Sequence, residues 1–180
     1  TSYADIKVPL LTNLRDRQLS DKLNTAYAEE GRALYESFMN KTNDTPKSMT
    51  QTYAEKVNNE QLLVLERRQD ISSADTATKL RYTTIDKQNG LVVTLPMLFK
   101  ANAYQAILKN YVNEQIAASK QYDTPIAAIG PKQTFYINNK GELVLVFQRG
   151  EIAPMYVGAV AMTIPTDEID SQLISHAYVK

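Results

Sequence analysis

The chain has 180 residues, with twenty basic and twenty acidic side chains, one histidine and no cysteine. Its length fits one sizeable core or two small lobes, because domains usually contain about 100 to 200 residues. The balanced charge predicts no nucleic-acid partner, the absence of cysteine excludes disulfides and thiolate sites, and no run of residues is apolar enough to predict a membrane-spanning helix.

The first predicted element is a strand near the N-terminus. Ile6, Val8 and Leu10 alternate with polar or mixed neighbours, which is typical of a half-buried strand. Pro9 has no backbone N–H to donate, so we expect the strand to lie at a sheet edge or to end here.

A long amphipathic helix should follow. Asp16 is a preferred N-cap residue, and the helix is expected to run to about Lys41, with Gly31 as a weak or close-packed point. Its apolar side chains recur at steps of three to four residues: Leu19, Leu23, Tyr27, Leu34 and Phe38. Asn43 to Ser48, "NDTPKS", is expected to form the turn that ends it.

A meander of strands is predicted next. The segments "MTQTYAEKV", "QLLVLERRQDI" and "TKLRYTTID" are separated by turn-like residues, and Asp86 to Gly90 predicts a hairpin turn before the return strand "LVVTL". The charged run "ERRQD", Glu66 to Asp70, could form a basic binding spot. We favour the solvent face of a strand with cross-strand ion pairs.

The second half begins with a helix over "PMLFKANAYQAILKNYVNEQIAASK", whose apolar face consists of Tyr104, Ile107, Leu108, Tyr111, Val112 and Ile116. A strand, a turn and a strand are predicted in "KQTFYINNKGELVLVF", and a further strand in "MYVGAVAMTIP". Small residues in that last strand, at Gly158, Ala159 and Ala161, are expected to allow close packing beneath a helix. A short terminal helix should begin at Thr166 or Asp167.

This order of elements predicts an α+β fold, with mostly antiparallel sheets, two main helices packed on the sheet and a short C-terminal helix. We expect an N-terminal module over residues 1–94 and a C-terminal module over residues 95–180, packed as one compact unit.

Catalytic chemistry is not indicated. His176 is the only histidine, and its sequence spacing from Ser171 and Ser175 does not indicate a triad. The pair Glu29 and Glu30 is expected on a solvated helix face, and Asp167 with Glu168 at the positive end of the terminal helix. We therefore predict no enzymatic activity, no catalytic residue, no metal site and no cofactor.

The stretch "RGEIAPMY", Arg149 to Tyr156, is the candidate binding segment. It leads into the last strand, Gly150 permits a bulge or sharp bend, and Pro154 cannot donate a ladder hydrogen bond. The chain is also rich in tyrosine, a residue enriched where proteins meet partners. The predicted binding residues are Arg149, Glu151, Pro154, Met155 and Tyr156.

The segment "FYINNKGELVLVFQRGEIAPMYVGAVAMTIPTDEI" resembles the C-terminal module of RsiV-type anti-sigma factor ectodomains and of the non-catalytic region of PdaC-type peptidoglycan deacetylases. The pattern is a strand, a Gly turn, a strand, Tyr-Glu-Ile-Ala-Pro-Tyr-Ala-Ala-Gly, and a strand ending in Ile-Pro. Its companion module is similar to "IKVPLLTNLRDRQLSDKLN" and "DKQNGLVVTLPMLF". Gly150 and Met155 stand where the pattern has its two tyrosines, and Tyr156 follows one place later.

This resemblance implies a bacterial extracytoplasmic domain that is anchored to the membrane or cell surface by a segment upstream of Thr1. It further implies a non-enzymatic recognition or sensor function, with a protein of the lysozyme type or a peptidoglycan-type cell-wall component as ligand. Two alternatives are an envelope hydrolase built on converging carboxylates such as Glu151 and Asp167, and a structural spacer that pairs through a sheet edge.

Overall fold

The computed structural model of the protein describes residues 2–40, 47–73 and 75–180, which fall into two compact units. The first contains Thr1–Arg81 and Ile85–Leu91, and the second contains Tyr82–Thr84 and Val92–Lys180. The expected boundary after residue 94, and the packing of both modules as one unit, stay predictions. The turn expected from Asn43 lies outside the described residues.

A five-stranded sheet has the strand order β1-β2-β3-β4-β5. The strands are β1 (Tyr3–Ile6), β2 (Ser48–Asn58), β3 (Leu62–Ser72), β4 (Thr76–Asp86) and β5 (Leu91–Val93). Strand β1 pairs in parallel with β2, which pairs antiparallel with β3. The predicted meander is therefore confirmed. The first strand is shorter than predicted, because it ends at Ile6, before Val8 and Leu10.

Helix α1 spans Arg17–Met39 and begins as predicted, since Asp16 Oδ1 accepts a hydrogen bond from Leu19 N at 2.9 Å. Tyr27 on this helix packs in a core cluster with Leu63, Leu65 and Ile85 of the sheet. Gly31 is a close-packed point, because a Cβ atom there would lie 2.7 Å from Val8 Cγ2. Hydrophobic burial thus anchors the first half of the helix to the sheet.

The second half of α1 is anchored by a polar cluster centred on Glu30. Arg67 Nε donates to Glu30 Oε2 at 3.0 Å, and Arg81 Nε lies 3.3 Å from Oε1. Gln69 Nε2 approaches the same Oε1 at 3.3 Å and bonds Gln51 Oε1 at 3.0 Å. The Arg67 guanidinium also lies over the Tyr27 ring, 4.8 Å from its centroid. We call these residues the Glu30 cluster.

Two expectations about charge are corrected by this cluster. Glu30 does not lie on a solvated helix face, because it is the acceptor that holds α1 to the sheet. Arg67 is not on the solvent side of β3 either, since it is only 7% exposed. In the remainder of the charged run, Lys56 pairs with Glu66 across β2 and β3 as expected, whereas Arg68 pairs with Asp70 along β3 and not across strands.

The second unit contains helix α2 and a three-stranded antiparallel sheet of order β6-β7-β8. Its elements are α2 (Ala103–Ala118), β6 (Phe135–Ile137), β7 (Leu143–Phe147), β8 (Val160–Ile164) and α3 (Thr166–Ile169). Helix α2 buries Tyr104, Leu108, Val112 and Ile116, four residues of the predicted apolar face. It begins later than predicted, because Leu95–Leu98, which contains Pro96, forms a separate 3-10 turn.

The last strand also differs from prediction. Met155–Val157 forms a 3-10 turn, and β8 begins only at Val160. Ala161 is exposed, and a Cβ atom on Gly158 would meet nothing within 4 Å, so these small residues do not serve close packing. Gly158 is instead required by its φ of 81°. The predicted α+β class is confirmed, and the short helix begins at Thr166 as expected.

Candidate binding loop

The segment from Arg149 to Val157, which we call the recognition loop, leaves the sheet through a tight turn. Glu151 N donates to Gln148 O at 2.9 Å, and Gln148 N donates to the Glu151 carboxylate at 2.7 Å. Gly150, the third residue of this turn, has a φ of 79°. A positive φ at that position is what a type II turn needs, so glycine is favoured there. A Cβ atom at Gly150 would also collide with Met155 Sδ.

The middle of the recognition loop is fixed in the protein interior. Ile152 is completely buried and Ala153 is 3% exposed. The Ile152 carbonyl oxygen accepts hydrogen bonds from Asp123 N at 3.0 Å and Thr124 N at 3.2 Å. Burial of Ile152 and Ala153 and the two hydrogen bonds to the Ile152 carbonyl together hold the middle of the loop in place.

The segment that supports Ile152 is itself held by helix α2. Asn113 Nδ2 donates to Ile126 O at 3.1 Å, and Ile126 N donates to Asn113 Oδ1 at 2.8 Å. A rigid helix is thereby connected through the 123–126 segment to the recognition loop. Sequence reasoning missed Asn113, because no local pattern indicates which distant backbone an asparagine side chain will bind.

The tip of the recognition loop projects two large side chains into solvent. Met155 is 48% exposed. Tyr156 is 87% exposed, the highest value among the large hydrophobic residues of the described chain. Val157 N donates to Pro154 O at 3.0 Å, and Gly158 N donates to Met155 O at 3.2 Å. The backbone that carries the exposed side chains is therefore ordered by hydrogen bonds.

The two charged residues of the loop serve its own structure in part. Arg149 Nε donates to Met155 O at 2.9 Å, which closes the loop across its base. Arg149 Nη1 is buried, and no group in residues 2–40, 47–73 and 75–180 accepts a hydrogen bond from it. A buried donor without an acceptor is costly, so Arg149 retains hydrogen-bonding capacity that the loop does not use.

All five predicted binding residues thus lie in one loop, with different surroundings. Met155 and Tyr156 face solvent, Pro154 is half-buried, and the charged ends of Arg149 and Glu151 bond to the loop backbone. Contact of any of them with a ligand stays a prediction. The sequence analysis did not predict that Ile152 and Ala153 are buried. Their position as two apolar residues between a charged residue and a proline is a signal that could have indicated it.

The candidate catalytic groups have structural partners. His176 Nε2 lies 2.5 Å from Asp170 Oδ1, while Ser175 Oγ accepts a hydrogen bond from Ala177 N. Asp167 and Glu168 lie in the first turn of α3, as expected for acidic residues at a helix N-terminus. Among the described residues, no group of three or more His, Cys, Asp or Glu side chains is placed to hold a metal ion. The same residues include no helix long and apolar enough to cross a membrane.

Comparison with known proteins places the recognition loop inside a described domain family. Residues 97–167 match the family model "Protein of unknown function (DUF3298)". The chain is 31% identical over 194 aligned positions to the anti-sigma-V factor RsiV of Bacillus subtilis strain 168, covering 99% of this chain and 68% of that protein.

Two crystal structures share the fold. One is a DUF3298 family member from Bacteroides fragilis, with a TM-score of 0.71 and 17% identity over 98% of this chain and 86% of that one. The other is a DUF3298 family protein from Pseudomonas aeruginosa, with a TM-score of 0.62 and 15% identity over 91% of this chain and 82% of that one. At these identities the likeness concerns the fold alone.

Proposed function

This chain belongs to the RsiV family of anti-sigma factors, and we propose that it is the extracytoplasmic recognition or sensor domain of a bacterial cell-envelope protein. Its proposed ligand is a protein of the lysozyme type, bound through the recognition loop without enzymatic activity of the domain. The observation that carries this proposal is the pair of exposed apolar side chains, Met155 and Tyr156, on a hydrogen-bonded turn.

The shape of the loop supports protein recognition. An exposed tyrosine offers a large apolar ring and a polar tip at low cost in side-chain entropy, which is why tyrosine is enriched at binding hot spots. Because the turn backbone is already ordered, little further entropy would be lost on association. Sites for small molecules are concave, whereas Tyr156 projects outward. A projecting tip fits the cleft of a partner, such as the substrate cleft of a glycan-cleaving enzyme.

Calorimetric titration of the chain with hen egg-white lysozyme, and separately with soluble peptidoglycan fragments, tests this proposal. Lysozyme should bind, and Tyr156→Ala should weaken binding by at least about tenfold, or ~1.4 kcal/mol. Tyr35→Ala is the matched control, since Tyr35 is 49% exposed on α1, outside the loop. Its affinity should equal that of the unchanged chain.

Three results would contradict the proposal. Absence of lysozyme binding would remove the protein ligand, and binding of the peptidoglycan fragments alone would replace it with a cell-wall ligand. Equal loss of affinity in Tyr156→Ala and Tyr35→Ala would show that the recognition loop is not the contact surface.

The proposed location outside the cytoplasm, with the domain tethered to the membrane, rests on the likeness to RsiV. In intact cells that produce the full-length protein, added protease should digest this domain while a cytosolic marker protein stays intact. Protection of the domain until the cells are lysed would show that the location is wrong.

A further inference from the structure

Strand β8 forms one of the two edges of the three-stranded sheet. In the part of the chain that the structure describes, β7 is the only strand paired with it. Every second residue of an antiparallel edge strand directs its N–H and C=O away from the sheet, where another strand could pair with them. Edge strands are commonly protected by charged residues or proline, but the sequence of β8, Val-Ala-Met-Thr-Ile, contains neither.

A groove of about 300 Å³ lies beside this edge and is lined by residues of both α2 and β8. We call it the β8 groove. Its lining includes Tyr111, Gln115, Ala118, Tyr122, Met162 and Thr163. The lining is mixed: the two tyrosine rings and the largely buried Met162 offer apolar contacts, while Gln115 and Thr163 offer polar groups. A strand edge beside a helix, with a side-chain pocket between them, is a geometry that suits extended peptides.

Two carboxylates lie near the Tyr111 end of the β8 groove: Glu114, one helical turn from the lining residues Tyr111 and Ala118, and Glu168 in α3. The pKa of Tyr111 is raised, first by burial and then by the negative charges of Glu168 and Glu114. Both acidic side chains are exposed, and neither forms an ion pair within residues 2–40, 47–73 and 75–180. The Tyr111 end of the groove is therefore complementary to a basic residue.

We propose that the β8 groove binds an extended, basic segment of a protein partner, which adds to β8 as a fourth strand. The segment would place an apolar side chain against Tyr111, Tyr122 and Met162, and a lysine or arginine beside Glu114 and Glu168. Main-chain hydrogen bonds would provide affinity, and the pocket and carboxylates would provide specificity. This surface is additional to the recognition loop, and its occupant is separate from the proposed loop ligand.

Charge favours such a segment over a second copy of this chain. If two β8 strands paired with each other, the uncharged strand would bring no cation to Glu114 and Glu168. A partner strand with one basic residue would pair with the open edge of β8 and also place a cation beside Glu114 and Glu168.

The test uses phage-displayed random short peptides panned against the whole chain, followed by calorimetry with the synthetic peptides that are enriched. Enriched sequences should alternate apolar and polar residues and carry a lysine or arginine near one end. Ala118→Arg should weaken their binding at least about tenfold by filling the groove. Ala106→Arg is the matched control, because Ala106 is exposed on the same helix and does not line the groove.

Three further measurements separate strand addition at β8 from other modes of peptide binding. Methylation of every second backbone amide on the peptide edge that faces β8 should abolish binding, because these amides could no longer donate. Replacing both Glu114 and Glu168 with glutamine should weaken binding several-fold, by less at high salt. Tyr156→Ala should leave peptide affinity unchanged, so the result does not depend on whether lysozyme binds the recognition loop.

Several outcomes would overturn this proposal. These are no enrichment over an unrelated control protein, unchanged affinity of the methylated peptide, or equal effects of Ala118→Arg and Ala106→Arg. Loss of peptide binding in Tyr156→Ala would transfer the contact to the recognition loop. Concentration-dependent self-association that is removed by Ala118→Arg would assign the edge to a second copy instead.

Discussion

The Glu30 cluster and the recognition loop use charged and apolar side chains in opposite ways. In the cluster, Arg67 is buried and pairs with a carboxylate from helix α1. In the loop, the large side chains of Met155 and Tyr156 are exposed, while Arg149 bonds to the loop backbone. Charge is buried where the chain stabilises itself, and apolar surface is exposed where we propose that it binds.

This difference shows why the charged run of β3 was a poor guide to binding. Arg67 lies in a sequence that resembles a basic surface patch, yet its side chain joins a helix to a sheet. Burying a charge is costly unless it is paired, so a structural arginine requires a carboxylate at a fixed place. An exposed apolar side chain has no such structural requirement, which makes Tyr156 the stronger indication of a partner.

The largest expected effect on stability comes from removing the acceptor of the Glu30 cluster. Glu30→Ala would leave the buried Arg67 without its carboxylate, and it should lower the free energy of unfolding by ~3 kcal/mol. Denaturant unfolding measures this change. Glu29→Ala is the control, because Glu29 is the exposed neighbour on the same helix. Similar losses in both variants would show that the cluster does not anchor α1.

A smaller effect is expected at the turn that opens the recognition loop. Gly150→Ala introduces a Cβ atom at a positive φ and against Met155, so unfolding free energy should fall by ~2 kcal/mol. Lysozyme affinity should fall with it, because Met155 must move. Gly130→Ala should be nearly neutral, since its Cβ atom would meet nothing within 4 Å. Equal stability of the two variants would contradict the described turn geometry.

The Arg68–Asp70 ion pair on β3 should make a smaller, pH-dependent contribution to the free energy of unfolding. Burial opposes ionisation of Asp70, but hydrogen bonds from Arg68 and Thr78 outweigh it and hold the pKa of Asp70 below its ordinary value. The stabilisation is therefore present above the unfolded-state pKa of about 3.9 and is lost as pH falls through the lower folded-state pKa.

Asp70→Asn should remove this contribution, at most ~1 kcal/mol because the pair is partly exposed. Unfolding free energies of the variant and the unchanged chain should differ at pH 7 and converge as pH falls through the lowered folded-state pKa of Asp70. Asp75→Asn, at an exposed position, serves as the control. A difference that is constant across this pH range would show that ionisation of Asp70 is not its source.

The smallest effect on stability is expected at the proposed contact itself. Tyr156→Ala should change unfolding free energy by less than ~0.5 kcal/mol, because the side chain is 87% exposed. Thermal unfolding followed by circular dichroism would measure it. A clear loss of stability would mean that Tyr156 packs against the protein in solution, which would weaken the comparison between the cluster and the loop.

Sequence patterns predicted most of the elements, because helices and hairpins depend on local spacing. The apolar stripe of α2 and the N-cap at Asp16 were read from residues within a few positions of each other. Boundaries failed where a proline or glycine changed the local backbone, as at Pro96 and in the 3-10 turn at Met155–Val157. Glu30 was misplaced because residue type and helical spacing do not reveal a partner in another strand.

The sequence by itself determined the α+β class, the long amphipathic helices and the membership of five binding candidates in one short segment. The tertiary structure decided that α1 is held by Glu30, that Ile152 anchors the recognition loop, and that β8 forms an open edge beside α2. The physical reason is the sequence separation over which each effect acts, since helical periodicity and turn preference depend on neighbouring residues. Burial, strand order and ion pairing join residues far apart in the chain.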